Sequence, residues 1–170
     1  VLAGGVSTTG STNEAKQKTE SGEIIFEDKF ADNSNKWDFS TNENSESVIE
    51  DGKLKVRVTS NGKFTYIKPP VDAEEVDLSV DAEFTDGDSM QYGFICHYKD
   101  KDNYIQAVTS TKGSYTITKK VKSEFTDLVS WNPSNSIKKG PDVVNNLRLV
   151  CGEGHVTLFI NGAITADVLD

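Results

Sequence analysis

The stretch EVDLSVDAEFT, Glu75–Thr85, decides the fold of this chain, because apolar and polar residues alternate along it without interruption. A helix would distribute the polar residues around its circumference, so the period of two predicts a β-strand with one face on a core. The apolar face consists of Val76, Leu78, Val80, Ala82 and Phe84, and the polar face consists of Asp77, Ser79, Asp81 and Glu83.

Strand-like segments continue on both sides, and no long segment has a helical period. The pairs Asp51-Gly52, Asn61-Gly62 and Asn161-Gly162 favour tight hairpin turns between them. About ten short strands with frequent turns are typical of a β-sandwich or barrel, with helix limited to a turn or two near residues 30–37 or 124–136. The predicted segments are Ile24–Phe30, Ser47–Thr59 (a hairpin), Phe64–Ile67, Met90–Tyr98, Asn103–Ser110, Ser114–Lys122, Asn146–Cys151 and Val156–Ile160.

Residues 1–22 differ in composition from the rest, since they are rich in Ser, Thr, Gly, Asn, Lys and Glu and have almost no large apolar residue. Such a segment cannot offset the entropy lost on ordering, so we expect a linker or tether at 1–22 and one domain at 23–170. Leu2-Ala3-Gly4 resembles part of a bacterial lipobox with Gly5 at the position of the lipidated Cys. A lost upstream tether and a processing remnant both remain open.

The charge of the chain argues against one class of partner. Its 170 residues include 18 Lys and Arg against 27 Asp and Glu, a formal net charge of −9. An acidic surface without a basic stripe repels a phosphate backbone, so we expect no nucleic-acid partner. No run of about 18 apolar residues occurs, and we expect membrane attachment only through a tether.

The domain contains, in this order, FEDKFADNSNKW (Phe26–Trp37), IEDGKLKVRV (Ile49–Val58), YGFICHYKDKDNY (Tyr92–Tyr104), GSYTITKKV (Gly113–Val121) and NNLRLVCGEGHVTLFING (Asn145–Gly162). Together they resemble the concanavalin-A-like jelly-roll domains of bacterial lipoproteins and of extracytoplasmic receptor regions, which are related in architecture to laminarinase-like and lectin-like domains. The resemblance covers residues 24–169. It implies two antiparallel sheets packed face to face, one of them concave, and a location outside or on the surface of a bacterial or archaeal cell.

Members of that group continue after the last hairpin into a closing strand that lies beside the first strand, whereas this sequence ends at Asp170. We expect one of two arrangements. In a truncated chain, the strand Ile24–Phe30 has a vacant edge and residues 1–22 are loose. In a polymer subunit, residues 1–12 are extended and paired with a neighbouring molecule.

The two cysteines, Cys96 and Cys151, lie in apolar strand-like segments, and the absence of a CxxC pair excludes a structural zinc site. Two buried thiols and one disulfide are both compatible with this. Because the two residues have the same inward parity and the implied setting is oxidising, we predict a disulfide between them.

Catalytic groups of laminarinase-like glycosidases are not found in the corresponding stretch. Retaining chemistry needs two carboxyl groups about 5–5.5 Å apart. Ser79 or Val80 occupies the position of the acid/base carboxyl, and Glu83 lies about 26 Å from Glu75 along an extended strand. The two histidines are not accompanied by a Gly-x-Ser-x-Gly elbow. We therefore expect no enzymatic activity.

Two acidic loops are weak candidates for a calcium site, but neither has the spacing of an EF-hand, and solvated turn residues are the simpler interpretation. We expect no cofactor, with Ca²⁺ as the alternative. The candidate ligands are Asp86, Asp88, Asp100 and Asp102.

A carbohydrate site on a sheet combines aromatic faces with planar polar groups. If both cysteines face the core, alternation sends a set of polar and aromatic residues to the opposite, concave face. That set, with one residue from a neighbouring loop, is the predicted ligand site: His97, Tyr104, Gln106, Arg148 and Trp131. The alternative is that Tyr104 and Trp131 are core residues at the rim.

The most economical hypothesis is an extracytoplasmic, non-catalytic binding module for a glycan or a cell-surface protein. A second hypothesis is a structural subunit of a surface polymer that assembles by N-terminal strand exchange, because an open sheet edge is a template for another strand. A third is a sugar hydrolase. Fold alone does not choose among them.

Overall fold

The regular secondary structure of the described chain consists of twelve β-strands and contains no helix. The computed structural model describes residues 6–8, 23–39, 43–60, 62–87 and 89–170. In these residues no helix is long and apolar enough to cross a bilayer. The strands are β1 (Val6–Thr8), β2 (Glu23–Phe26), β3 (Ser45–Glu50), β4 (Lys53–Val58), β5 (Val76–Phe84), β6 (Gln91–Asp100), β7 (Asn103–Ser110), β8 (Ser114–Val121), β9 (Glu124–Pro133), β10 (Val143–Gly152), β11 (His155–Ile160) and β12 (Ala163–Leu169).

The strands form two large antiparallel sheets and one separate hairpin. The first sheet has the order β12-β11-β10-β5-β1-β2, and the second has the order β6-β7-β8-β9. Strands β3 and β4 pair with each other, and Leu54 of this hairpin joins the core that the two sheets enclose. The predicted all-β, two-sheet antiparallel sandwich is confirmed, and the narrower jelly-roll and concanavalin-A-like assignments stay predictions.

The core follows the alternation seen in the sequence. Val80 of β5 lies opposite Leu147 of β10, and Leu78 lies opposite Leu149. Leu147 and Leu149 are completely buried, while the polar residues between the apolar ones of β5 turn outward. Burial of this kind stabilises by about 25 cal/mol for each Å² of apolar surface removed from water, which accounts for an apolar residue at every second position of β5.

The disulfide between Cys96 and Cys151 is confirmed. Cys96 lies on β6 and Cys151 lies on β10, so the bond joins the two sheets across the core. The Cα atoms are 6.6 Å apart, within the range of disulfides, and both residues are buried.

Strand β9 differs from the prediction, which allowed a helical turn or two near residues 124–136. All ten residues of Glu124–Pro133 form a strand paired with β8. Strand β9 is the outermost strand of its sheet, and most of its residues are exposed, so no buried face imposes an alternating pattern. The register also shifts twice along the pair, which disrupts any remaining period.

Two shorter predictions are also corrected. Residues Phe64–Ile67 do not form a strand. The predicted strand Ile24–Phe30 ends at Phe26, because Phe30 has a positive φ of 56° and its amide donates to the Asp28 carboxylate at 2.6 Å. A left-handed residue with a local side-chain bond ends an extended segment.

Three residues of the segment predicted to be a linker are part of the fold. Val6–Thr8 form β1, which pairs on one side with β5 and on the other with β2. Strand β2, the first strand of the predicted domain, is therefore paired with β1 on one side. On its other side β2 forms the edge of the six-stranded sheet. The predictions for residues 1–5 and 9–22 lie outside the described residues.

Candidate functional site

Five aromatic side chains form a continuous row across the outer face of the four-stranded sheet, here called the aromatic band. Phe64 and Tyr66 come from the segment between β4 and β5, Tyr98 from β6, Tyr104 from β7 and Phe125 from β9. In that order, successive ring centroids are 6.4, 5.5, 6.3 and 6.3 Å apart. All of these rings except Tyr104 are exposed to solvent.

The strand register explains why the rings meet. Ile105 lies opposite Cys96 and is buried in the core, so the neighbouring Tyr104 points to the outer face. Tyr104 lies opposite Lys120, and Lys120 lies opposite Phe125. Three adjacent strands therefore present a ring, a cation and a ring at one level of the sheet.

Lys120 and Tyr104 form the base of the aromatic band. The Nζ atom of Lys120 lies 5.4 Å from the ring centroid of Tyr104 and 5.3 Å from that of Phe125, within cation–π range. It also donates to the backbone oxygen of Lys101 at 2.8 Å. Tyr104 is 4% exposed, and burial raises its pKa. Tyr104 therefore supports the exposed rings and does not present its own face.

The hydroxyl groups of Tyr66 and Tyr98 hold the middle of the aromatic band together. Their oxygen atoms are 2.9 Å apart, and the ring planes are tilted by 49°. The hydrogen bond with Tyr66 raises the pKa of Tyr98 to about 12. The group is therefore neutral at physiological pH, and the pair keeps donor and acceptor capacity at the surface.

Polar groups lie on the same face beside the rings. Gln106 is two residues from Tyr104 along β7, so both point outward, and it lies opposite Thr118 of β8. Gln106 is half-buried, and the buried hydroxyl of Thr118 has no hydrogen-bond partner among the described residues. A buried hydroxyl without a partner is uncommon in proteins. Because Gln106 and Tyr104 are two residues apart on β7, Gln106 lies on the outer face beside Tyr104, as the alternation of the sequence predicts.

A cavity of about 160 Å³ opens beside the aromatic band, here called the side cavity. Tyr66 and Tyr98 line it and also belong to the aromatic band, so the two features are continuous. The ion pair between Lys68 and Asp72, with 2.6 Å between its atoms, is part of the lining. The apolar walls include Trp37, Ile67, Val76, Leu78, Phe94 and Cys96.

His97 lines the side cavity, which corrects its predicted position beside Tyr104. The pairing of β6 with β7 is irregular between Cys96 and Asp100, and His97 has a positive φ of 48°. This bulge places Tyr98 next to Tyr104 instead. The Nδ1 atom of His97 lies 3.0 Å from a carboxylate oxygen of Asp170.

Arg148 lies on the other sheet, so its predicted place beside His97 and Tyr104 is wrong. Inward parity of both cysteines does not put their neighbours on one surface, because β6 and β10 belong to opposite sheets. Arg148 donates to both oxygens of Asp77 at 2.7 and 2.6 Å and stacks on Phe159 at 4.9 Å. The hydrogen bonds with Asp77 raise the pKa of Arg148. This is a structural ion pair on the outer face of the six-stranded sheet.

Trp131 lies on the same strand as Phe125, six residues further along, and is half-exposed. It belongs to a strand and not to the predicted loop. A role for Trp131 in ligand binding stays a prediction.

The acidic residues of the stretch that was compared with laminarinase-like glycosidases do not lie at the aromatic band. Asp77 is bound to Arg148, and Glu75 accepts a hydrogen bond from the amide of Glu153 at 3.3 Å. Both belong to the region of the six-stranded sheet. Their interactions are those of structural carboxylates.

Two of the candidate calcium ligands, Asp100 and Asp102, have hydrogen-bond partners in their own turn or in the turn between β8 and β9. Asp100 accepts from the amide of Asp102 at 2.7 Å and from the side chain of Asn103 at 2.8 Å, while Asp102 accepts from Ser123 at 2.6 Å. These hydrogen bonds lower the pKa of Asp100. Within the described ranges, no group of three or more His, Cys, Asp or Glu residues is arranged to hold a metal ion. Asp86 lies in a bend, and Asp88 is outside the described residues.

Sequence reasoning placed Tyr104 and Gln106 on the outer face of the sheet but did not name the four exposed rings. Two signals were available. Phe64 and Tyr66 are two residues apart in an extended segment, which places both rings on one side. Tyr98 and Tyr104 flank the short turn between β6 and β7, which brings them close together.

Comparison with known proteins gives one structural match. No protein-family model and no curated protein matches the chain. Among solved structures, the chain is similar to the carbohydrate-binding module CBM66 from Bacillus subtilis, with 12% sequence identity and a TM-score of 0.49. The match covers 61% of this chain and 64% of that module, less than two thirds of its length. At this level of similarity, conclusions about a ligand have to come from the residues of this chain.

Proposed function

We propose that the protein is a non-catalytic module that binds a glycan on the aromatic band. The observation that carries this proposal is a set of four exposed rings on one face: Phe64, Tyr66 and Tyr98 in a run, and Phe125 on the far side of the buried Tyr104. Single exposed apolar side chains are common, but a contiguous patch marks an interaction site. The apolar faces of sugar rings pack on aromatic side chains, and sugar hydroxyls bond to polar groups at their edges.

The polar groups that such a ligand needs are next to the rings. Tyr98 contributes a hydroxyl that stays neutral at physiological pH, Tyr66 contributes a second hydroxyl 2.9 Å from it, and Gln106 contributes both a donor and an acceptor. Lys120 adds a positive charge between two of the rings. Apolar faces bordered by amide and hydroxyl groups suit a polyhydroxylated ligand better than a purely hydrophobic one.

The shape of the surface favours a chain of sugar units. The rings follow one another from the segment at residues 64–66 across β6 and β7 to β9, with centroid separations of 5.5–6.4 Å. Each further unit of a linear ligand that reaches another exposed ring buries additional C–H surface on it. A single sugar would leave most of the row in contact with water.

The carboxylates support binding over hydrolysis. Asp77 forms an ion pair with Arg148, and both residues lie on the six-stranded sheet, away from the aromatic band. Asp100 accepts hydrogen bonds from groups within its own turn. A glycosidase needs one carboxyl group as acid and a second as base or nucleophile on either side of the scissile bond. Carboxylates with such structural partners serve the fold.

We place the protein outside the cytoplasm. The disulfide between Cys96 and Cys151 supports this, because such bonds persist in oxidising compartments and are rare in the cytosol. Extracellular polysaccharides would be accessible to a module in that setting.

The test is binding to a panel of soluble poly- and oligosaccharides, measured by affinity electrophoresis and calorimetry. The variant Tyr98→Ala/Phe125→Ala removes two exposed rings from different strands. Losing each ring should cost about 1–2 kcal/mol, so the double variant should bind roughly 30-fold to 1,000-fold more weakly.

The control is Ile164→Ala on β12, since Ile164 is 68% exposed, like Phe64, but lies on the edge of the other sheet. It should bind as tightly as the wild type. A panel in which no saccharide binds, or equal binding by the double variant and the wild type, contradicts the proposal.

A second candidate function, assembly by strand exchange, is supported by β1. This strand contributes backbone pairing on both edges, to β5 and to β2, and is separated from β2 by the fourteen residues 9–22. Extended, those residues span about 45 Å, enough to deliver the strand to a second molecule. Exchange predicts concentration-dependent polymers in analytical ultracentrifugation that disappear in Ser7→Pro, because proline removes a backbone donor. Monomers at every concentration eliminate this candidate.

A further inference from the structure

The side cavity has the size and lining of a site for one small apolar group. Its volume is about 160 Å³, and its walls include Trp37, Phe94, Val76 and Leu78. An apolar cavity of about 150 Å³ in another protein binds benzene. A benzene-sized group therefore fits the side cavity, and leaving the water would favour its binding.

The side cavity shares two of its lining residues with the aromatic band. Tyr66 and Tyr98 line the cavity on one side and form the middle of the row of rings on the other. Their hydroxyl groups and the Lys68–Asp72 ion pair give the lining polar atoms, whereas the interior walls are apolar. A ligand that lies along the aromatic band can thus place a substituent in the cavity without leaving the surface.

We infer that the ligand of the aromatic band is a saccharide that carries an apolar substituent of about the size of a phenyl ring, and that this substituent occupies the side cavity. This inference rests on the proposed function and adds the chemical class of the ligand. A bare sugar unit would carry its hydroxyl groups into the apolar cavity along with its C–H faces, whereas an aryl or short-alkyl group buries apolar surface there without losing a hydrogen bond.

The first experiment uses fluorobenzene as a probe of the cavity, observed by ¹⁹F NMR with the full chain. We expect saturable binding to the wild type and at least tenfold weaker binding to Ala73→Trp, because Ala73 lines the side cavity in a segment outside the strands and a bulky side chain would fill it. Val71→Trp, at a second lining position, is an independent filling variant in case the first one folds poorly. The control Ala163→Trp, on the exposed edge strand β12, should bind like the wild type.

The second experiment compares phenyl and methyl β-glucopyranoside, two probes with the same sugar. The phenyl compound should bind roughly 10- to 100-fold more tightly to the wild type, and this preference should be lost in the filling variants. No binding of fluorobenzene, or unchanged binding in both filling variants, overturns the inference.

The two proposals fail in different ways. If saccharides of the panel bind but phenyl and methyl glycosides bind equally, the inference about the substituent is overturned and the glycan-binding function stands. If fluorobenzene binds while neither glycoside nor any panel saccharide does, the glycan-binding function is overturned, and the assignment of a saccharide to the cavity falls with it.

Discussion

Removal of the disulfide should weaken the fold by an amount that follows from the length of the loop it closes. Cys96 and Cys151 are separated by 55 residues and join β6 of one sheet to β10 of the other. In the chain-entropy model a closed loop of that length restricts the unfolded chain enough to stabilise the native state by about 4 kcal/mol. We expect Cys96→Ala/Cys151→Ala to lose this amount, plus a smaller contribution from lost packing, since both residues are buried.

Urea unfolding followed by tryptophan fluorescence measures this loss, because Trp37 is buried in the core and becomes exposed on unfolding. With an m-value of about 2 kcal/mol/M, a loss of 4 kcal/mol lowers the midpoint by about 2 M urea. The oxidised wild type, the wild type with reductant, and the double variant with and without reductant form the complete set.

The comparison separates loop closure from packing. The reduced wild type keeps both sulfur atoms, so its difference from the oxidised protein reports loop closure, whereas the further difference to the double variant reports packing. Reductant should leave the double variant unchanged. An unaltered urea midpoint on reduction of the wild type would refute the reasoning, because closing the loop would then add nothing to the free energy of unfolding.

Three further predictions concern single positions. Gly93→Ala should destabilise by about 1–3 kcal/mol in a urea titration, because an added Cβ would overlap a backbone carbonyl of β7; wild-type stability would contradict this. Asp28→Ala should remove the acceptor of the Trp37 indole, 2.6 Å away, and lose about 1–2 kcal/mol. Burial raises the pKa of Asp28, but the hydrogen bonds that it accepts lower the pKa by more, so the folded-state pKa lies below the ordinary value. The stabilisation by the Asp28 carboxylate is thus present above the unfolded pKa of about 4 and is lost as the pH falls through the folded pKa. An acid titration in which the wild type and the Asp28→Ala variant lose stability in parallel would oppose this. Tyr66→Phe should shift the pKa of Tyr98 from about 12 toward the ordinary value near 10, seen as tyrosinate absorbance at lower pH; an unchanged titration argues against the hydroxyl pair.

The fold could be predicted from the sequence where one face of a strand is buried, and much less where it is not. Glu75–Thr85 shows its period because the core requires an apolar residue at every second position. The exposed edge strand β9 has no such requirement, and its sequence resembles a loop. The short β1 was missed because its backbone pairing leaves no mark on a stretch rich in Ser and Thr.

The candidate site was only partly accessible from the sequence, for two physical reasons. Parity along a strand gives the face of a residue but not the sheet, so Arg148 was placed beside residues that lie on the opposite side of the molecule. A bulge changes parity locally, so Tyr98 and not the predicted His97 lies beside Tyr104. Tyr104 and Gln106 lie on a regular strand, and there the alternation gave the correct face.

The location of bound saccharide tests the central claim most directly. In a titration of isotope-labelled protein with the tightest saccharide of the panel, we expect NMR shift changes at Tyr66, Tyr98, Gln106 and Phe125 on the four-stranded sheet. The region around Arg148 should stay unchanged. Shift changes centred on the Arg148 region, with the aromatic band unaffected, would contradict the account.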